Sequence, residues 1–247
     1  MQAITRRHFL EMALGIPCLY STPLLAAPAG GSRFQGCFLT SGSDDFLDKL
    51  KLLSSSGDKE VDQVCSAAEQ ELRREFRVAP DTWYFDDVEG RNAFATWFVR
   101  RRPGVLSRLN SKDGTVCLGT RLVRQVTRRD ELNRRWKTRL TAIIAHEWAH
   151  IVQFSRGYRN AGKSVELHAD FLAGWFLGRT SGGRTGFKDQ ERGEAMIRFF
   201  GLGDYEIYHP EHHGTPKERA FVIADGFDLA SKVYNVDAAF RARSLNG

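Results

Sequence analysis

Ala145-His146-Glu147-Trp148-Ala149-His150-Ile151 lies inside a stretch where Leu140, Ile143, Ile144, Ile151 and Phe154 recur at helical intervals. The pattern predicts a buried helix over Glu131 to Phe154, with polar residues embedded in an apolar length. On such a helix His146 and His150 stand one turn apart on one face, so two imidazoles can close on one zinc ion. Glu147 sits beside them, within reach of a water that the ion would activate. Burying two histidines and a glutamate without partners would cost on the order of a few kcal/mol each. The stretch therefore calls for further partners elsewhere in the chain.

A catalytic zinc site takes three protein ligands and leaves its fourth position for water. Gly157 ends the first helix, and the next, expected over Ser164 to Leu177, carries Glu166-Leu167-His168-Ala169-Asp170. Glu166 and Asp170 are four apart and share a face, so Glu166 can meet the metal while Asp170 fixes the tautomer of a ligating histidine. His168 is the competing third ligand, but on a regular helix it points about 200° away from Glu166.

These residues carry a family resemblance. HExxH followed by ExxxD on the next helix resembles the gluzincin class of zinc metallopeptidases. Ala145 to Gln153 and Val165 to Gly174 are similar to bacterial neutral zinc metallopeptidases and to the peptidase domain of HtpX-type and prenyl-protein proteases. Asn92-Ala93-Phe94-Ala95 is similar to a run that those peptidases carry before a strand bordering the cleft. His213-Gly214-Thr215-Pro216-Lys217-Glu218-Arg219 resembles their His and Arg six residues apart. The resemblance spans residues 92 to 226, and the chain departs from the membrane members in having no spanning segments. It implies zinc on His146, His150 and Glu166, Glu147 as general base and Asp170 behind a ligand. It also implies a peptide or protein substrate. His213 is the expected donor to the tetrahedral oxyanion. Arg219 is expected to orient His213 or bind a substrate carbonyl or carboxylate, with pairing to Asp170 or Glu218 as the structural alternative. Trp148 and Tyr158 either line the cleft or pack in the core.

The rest of the chain suits one domain, residues 30–247, of α+β class: a mainly helical zincin-like fold with a small β-sheet N-terminal to the HExxH helix. An amphipathic helix is expected over Glu60 to Arg77. Short β-prone runs follow at Thr82–Phe85, Phe94–Val99 and Thr115–Leu118. Further helices are expected over Asp189–Phe200, Thr215–Val233 and Asp237–Arg243. Thr215-Pro216-Lys217-Glu218 is the best-marked start, with an N-cap threonine, a proline at the first helical position and a capping-box glutamate. Gly178 to Gly186 reads as a loop. Of the cysteines, Cys37, Cys65 and Cys117 lie beyond the leader; an odd number forms no complete disulfide framework, and no pair has zinc-ligand spacing. Cys65, in phase with Val61, Ala68, Leu72 and Phe76, reads as a buried apolar residue.

Residues 1–29 read as an export signal rather than as fold. Thr5-Arg6-Arg7-His8-Phe9-Leu10 precedes an apolar run from Met12 to Leu25, and Ala27-Pro28-Ala29 offers a small-x-small cleavage site. The arginine pair with Phe9 and Leu10 resembles the twin-arginine signal, which implies the matching export machinery as a partner and a periplasmic or secreted location. A composition 42% apolar and 27% charged excludes a disordered or collagenous chain. No uncharged apolar run reaches eighteen residues, so no membrane span is expected.

The formal charge of +6 is local: residues 100–139 hold 13 basic and 3 acidic side chains. That stretch motivates a nucleic-acid-associated metalloprotein as one rival, which export disfavours, since an exported chain does not meet chromosomal DNA. A catalytically silent zinc- or peptide-binding module is the other, and the intact Glu147 speaks against it. Replacing Arg6 and Arg7 by Lys is expected to trap the full-length protein in the cytoplasm. Cell fractionation checks this, and undiminished export would sink the twin-arginine reading.

Overall fold

The computed structural model of the chain describes residues 47, 50–87, 93–99, 113–128, 136–159, 162–180 and 214–243, all within the unit Phe34–Gly247. The expected export segment, Cys37, Asn92, the Asp189–Phe200 helix, the loop beyond Thr180 and half of the basic stretch lie outside the described residues.

Helix α1 (Lys59–Phe76) starts where Asp58 accepts hydrogen bonds from the amides of Glu60 and Val61. Glu60 and Asp62 in its first turn and Arg73 and Arg74 in its last complement the helix dipole. Its apolar stripe, Val61, Cys65, Ala68, Leu72 and Phe76, is buried as the spacing predicts. Three strands follow: β1 (Asp81–Phe85), β2 (Ala93–Thr96) and β3 (Thr115–Gly119). They form a sheet of order β1-β3-β2 in which β1 runs parallel and β2 antiparallel to β3. β3 is buried along its whole length, as expected of a central strand. Leu47, Phe85, Phe94 and Cys117 make a small core against it, with Phe85 and Phe94 edge to face at 5.2 Å. Cys65 and Cys117 are both buried.

Helix α2 (Thr120–Thr127) is not expected from the sequence, where Thr115 to Val126 reads as part of a β-prone region. Its periodicity is helical all the same: Leu122, Val123 and Val126 are buried while Arg121, Arg124 and Gln125 are not. Its N-cap residue, Gly119, has no side chain to offer. The cap comes instead from Asp87, whose carboxylate accepts from the amides of Arg121 at 2.6 Å and Leu122 at 3.0 Å. A start signal 34 residues away in sequence cannot be read locally.

Helix α3 (Trp136–Ser155) is buried continuously from Leu140 to Phe154, the mark of a core helix packed on all sides. It packs against α1, α2 and β2 and against α4 (Lys163–Arg179). α3 ends in a Schellman arrangement: Gly157 takes φ 82, its amide donates to the Phe154 carbonyl, and the Tyr158 amide donates to that of Gln153. The tight turn sends the chain back so that α4 runs against α3.

α4 packs most extensively against α5 (Pro216–Leu229). The two helices touch through glycines. A Cβ on Gly174 would lie 2.2 Å from the Ile223 carbonyl oxygen, and one on Gly226 would lie 2.0 Å from that of Phe171. α5 begins with the expected capping box: Glu218 N–H donates to the Thr215 side chain, and the Thr215 amide donates to the Glu218 carboxylate. Burial acts to raise the Glu218 pKa, but hydrogen bonds from Lys163 and Thr215 outweigh it and hold the carboxyl near about 2. A last helix, α6 (Val236–Ala242), is capped by Asn235 and docks by Phe240. The architecture is α+β, mainly helical with one small mixed sheet preceding α3. Among the described residues no helix is long and apolar enough to cross a membrane.

The glycine crossing gives a direct test. Gly226→Ala is expected to destabilise the fold by about 1–3 kcal/mol, because the new methyl meets backbone rather than a movable side chain. Urea denaturation followed by circular dichroism measures this, and a stability equal to wild type would show that the helices separate freely.

Candidate metal centre

His146, Glu147 and His150 sit on α3, and Glu166 and Asp170 on α4, all of them buried. The antiparallel return at Gly157 lays the two helices together so that Glu166 faces both imidazoles. His146 Nε2 is 3.2 Å from His150 Nε2 and 3.3 Å from Glu166 Oε2, and His150 Nε2 is 3.5 Å from Glu166 Oε1. The three residues form a group that could hold a metal ion. The donor spacings fit one: ligands about 2.0–2.1 Å from a tetrahedral ion lie about 3.3 Å from each other.

The far side of each ring decides which nitrogen faces that group. His146 Nδ1 is 2.8 Å from Asp170 Oδ1, and His150 Nδ1 is 2.8 Å from the side-chain oxygen of Gln153. Carboxylate and amide oxygens only accept, so both rings carry their proton on Nδ1 and present the Nε2 lone pair inward. Two lone pairs and a carboxylate thus converge within hydrogen-bonding distance with no proton between the rings. That is a donor set which could hold a cation at its centre. Burial pushes His150 down to about 4 against the opposing charge of Glu166, so at neutral pH this ring is uncharged.

Asp170 is held in turn by Arg219 of α5, whose Nε and Nη2 reach its two oxygens at 2.7 and 2.8 Å. Both side chains are fully buried. Burial acts to raise the Asp170 pKa, but the charge and hydrogen bonds of Arg219, with His146 behind them, outweigh it and keep the carboxyl below its ordinary value.

The structure brings Glu166, not His168, to the two histidines. His168 lies on the opposite side of α4, between Gln153 and the carbonyl of Phe240. Of the places expected for Arg219, namely His213, a substrate carbonyl or carboxylate, Asp170 and Glu218, the described residues show the pairing with Asp170. Trp148 is completely buried in the core, and its Nε1 has no partner among the described residues. Tyr158 is partly exposed, its ring against Phe240 at 5.6 Å. His213 lies outside the described residues. Gln153 escaped the sequence reading, although its place three residues after His150 puts it on the same helix face.

Comparisons of the chain with protein-family models, with curated proteins and with solved structures find no match.

Removing one partner of a buried ion pair strands the other. Arg219→Met is therefore expected to cost about 3–5 kcal/mol at pH 7. Because the folded Asp170 pKa is lowered, the pair's contribution is complete above the ordinary aspartate range and fades as pH falls through the lower folded value. Denaturation curves of wild type and variant should therefore converge only in strong acid. A constant difference down to that range would show that the pair does not hold the Asp170 charge.

Proposed function

We propose that this chain is an exported zinc-dependent metallopeptidase, a zincin-like domain in which His146, His150 and Glu166 hold the ion and Glu147 is the general base. The observation that carries the reading is the convergence of two imidazole lone pairs and a carboxylate at tetrahedral spacing. Two histidines and one glutamate, with a fourth position left over, is the composition of catalytic zinc sites, whereas structural sites close all four positions with protein. Zinc bound there would supply Lewis-acid polarisation of a carbonyl and a nucleophile at neutral pH.

The chain's own residues do the rest. Glu147, next to His146 on α3, takes the proton of the attacking water and delivers it to the leaving amine nitrogen. Asp170, clamped by Arg219, holds the His146 ring in its ligating orientation. His213 donates to the oxyanion. Among the described residues β2 ends the sheet and packs against α3, next to the helix that carries the two histidines. The twin-arginine leader sends the folded domain to the periplasm or beyond.

Glu147→Gln is expected to keep one zinc per chain while lowering hydrolysis of casein or a mixed peptide library by about 10²–10⁴-fold. Zinc content by atomic emission and cleavage by mass spectrometry read the two quantities separately. Zinc retained with no hydrolysis by either protein would replace the peptidase with a silent binding module. Absence of zinc from both would remove the metal site itself.

A further inference from the structure

Every polar atom on the outer side of His150 has a defined hydrogen-bonding role. The Gln153 amide nitrogen donates to the Val165 carbonyl at 2.9 Å and lies 3.1 Å from His168 Nδ1. An amide nitrogen has only protons to offer, so His168 Nδ1 accepts. The other ring nitrogen, Nε2, lies 3.0 Å from the backbone carbonyl of Phe240. A carbonyl only accepts, so Nε2 carries the proton.

The polarity of the whole series follows from two backbone oxygens. Turning the Gln153 amide over would set its oxygen against the Val165 carbonyl and against His168 Nδ1. Gln153 and His168 are fully buried, so no water is at hand to relieve that conflict. With the amide fixed, only its oxygen faces His150, and only a proton on Nδ1 satisfies it.

We propose that Gln153 and His168 are positioning residues for the metal centre: a relay from the Phe240 carbonyl through His168 and Gln153 keeps the His150 proton on Nδ1 and its Nε2 open to the ion. The inference rests on the metal-site reading above. It also ties the centre to α6, since Phe240 is the anchor of that helix. The Phe240 ring stands edge to face on His168 at 4.5 Å, and Arg156, which pairs with Asp237 at 2.5 Å, lies over it. The Nε2–H tautomer, which the relay disfavours, presents a proton to the metal instead of a lone pair.

Long-range proton–nitrogen spectra of the full-length protein, labelled on histidine nitrogens and freed of metal, read the tautomers directly. Wild type is expected to show His150 as the Nδ1–H form and His168 as the Nε2–H form. Gln153→Leu should turn His150 into a mixture of tautomers and weaken zinc binding, measured by chelator competition, about 10- to 100-fold. His168→Phe, which keeps a ring beside Phe240 but no nitrogen, should shift both readouts in the same direction and by less. An Nε2–H His150 in metal-free wild type would overturn the relay without any variant. Unchanged tautomer and affinity in Gln153→Leu would do the same. Zinc bound as described with no peptide cleavage would count against the peptidase reading alone, so the two failures are distinguishable.

Discussion

The physical constraint on which the rest depends is the approach of acceptors in a dry interior. His146, His150 and Glu166 aim lone pairs and negative charge at one another across 3.2–3.5 Å. In water such groups would separate or bind protons. Here each is held by a helix buried along most of its length, so separation would open the core. The formal charges sharpen the point. Glu147, Glu166 and Asp170 are three carboxylates, and Arg219 is the cation paired among them. A divalent ion would balance the remainder, which is the condition under which buried charge is tolerated.

The scaffold meets that constraint by close approach rather than by size. Glycines at the crossing of α4 and α5 bring backbone to backbone, and at that separation Arg219 reaches both oxygens of Asp170. Arg219 is completely buried and would be a liability without its partner. The capping box at Thr215 and the Lys163–Glu218 ion pair pin the start of α5 to the start of α4. The clamp on His146 is thus built from α5, through Arg219 on Asp170.

Much of this was legible before any coordinates. The helix carrying HExxH announces itself by the apolar period of Leu140, Ile143, Ile144, Ile151 and Phe154. The i, i+4 pairing of Glu166 with Asp170 places a ligand candidate and its neighbour on one face, and Thr215 to Glu218 states its own cap. What escaped has a common cause, in that the deciding contact is distant in sequence. α2 takes its cap from Asp87, and the parallel pairing of β1 with β3 depends on the whole connection between them. From the sequence His168 reads only as a candidate ligand, because its acceptor, the Phe240 carbonyl, belongs to a helix 72 residues away. Gln153 is different. Its distance from His150 is one helical turn, and it was overlooked because a neutral amide announces no chemistry by itself.

The two histidines are held by unlike arms, and the difference has a reason. Behind His146 stands an ionised carboxylate neutralised by arginine; behind His150 stands an uncharged amide backed by an uncharged imidazole, since burial pushes His168 down to about 4. A second carboxylate in place of Gln153 would have added another negative charge to a site whose carboxylates already outnumber its one arginine. It would also have faced the Val165 carbonyl, oxygen against oxygen. A neutral relay orients the ring by geometry alone and leaves the charge balance to the ion. The charged arm strengthens His146 as an electron donor, because a carboxylate partner raises the basicity of the ring it holds. Under the proposed reading, His146 is therefore the stronger and His150 the weaker of the two nitrogen ligands. The asymmetry places the more easily displaced ligand on the arm that runs through Gln153 and His168 to α6.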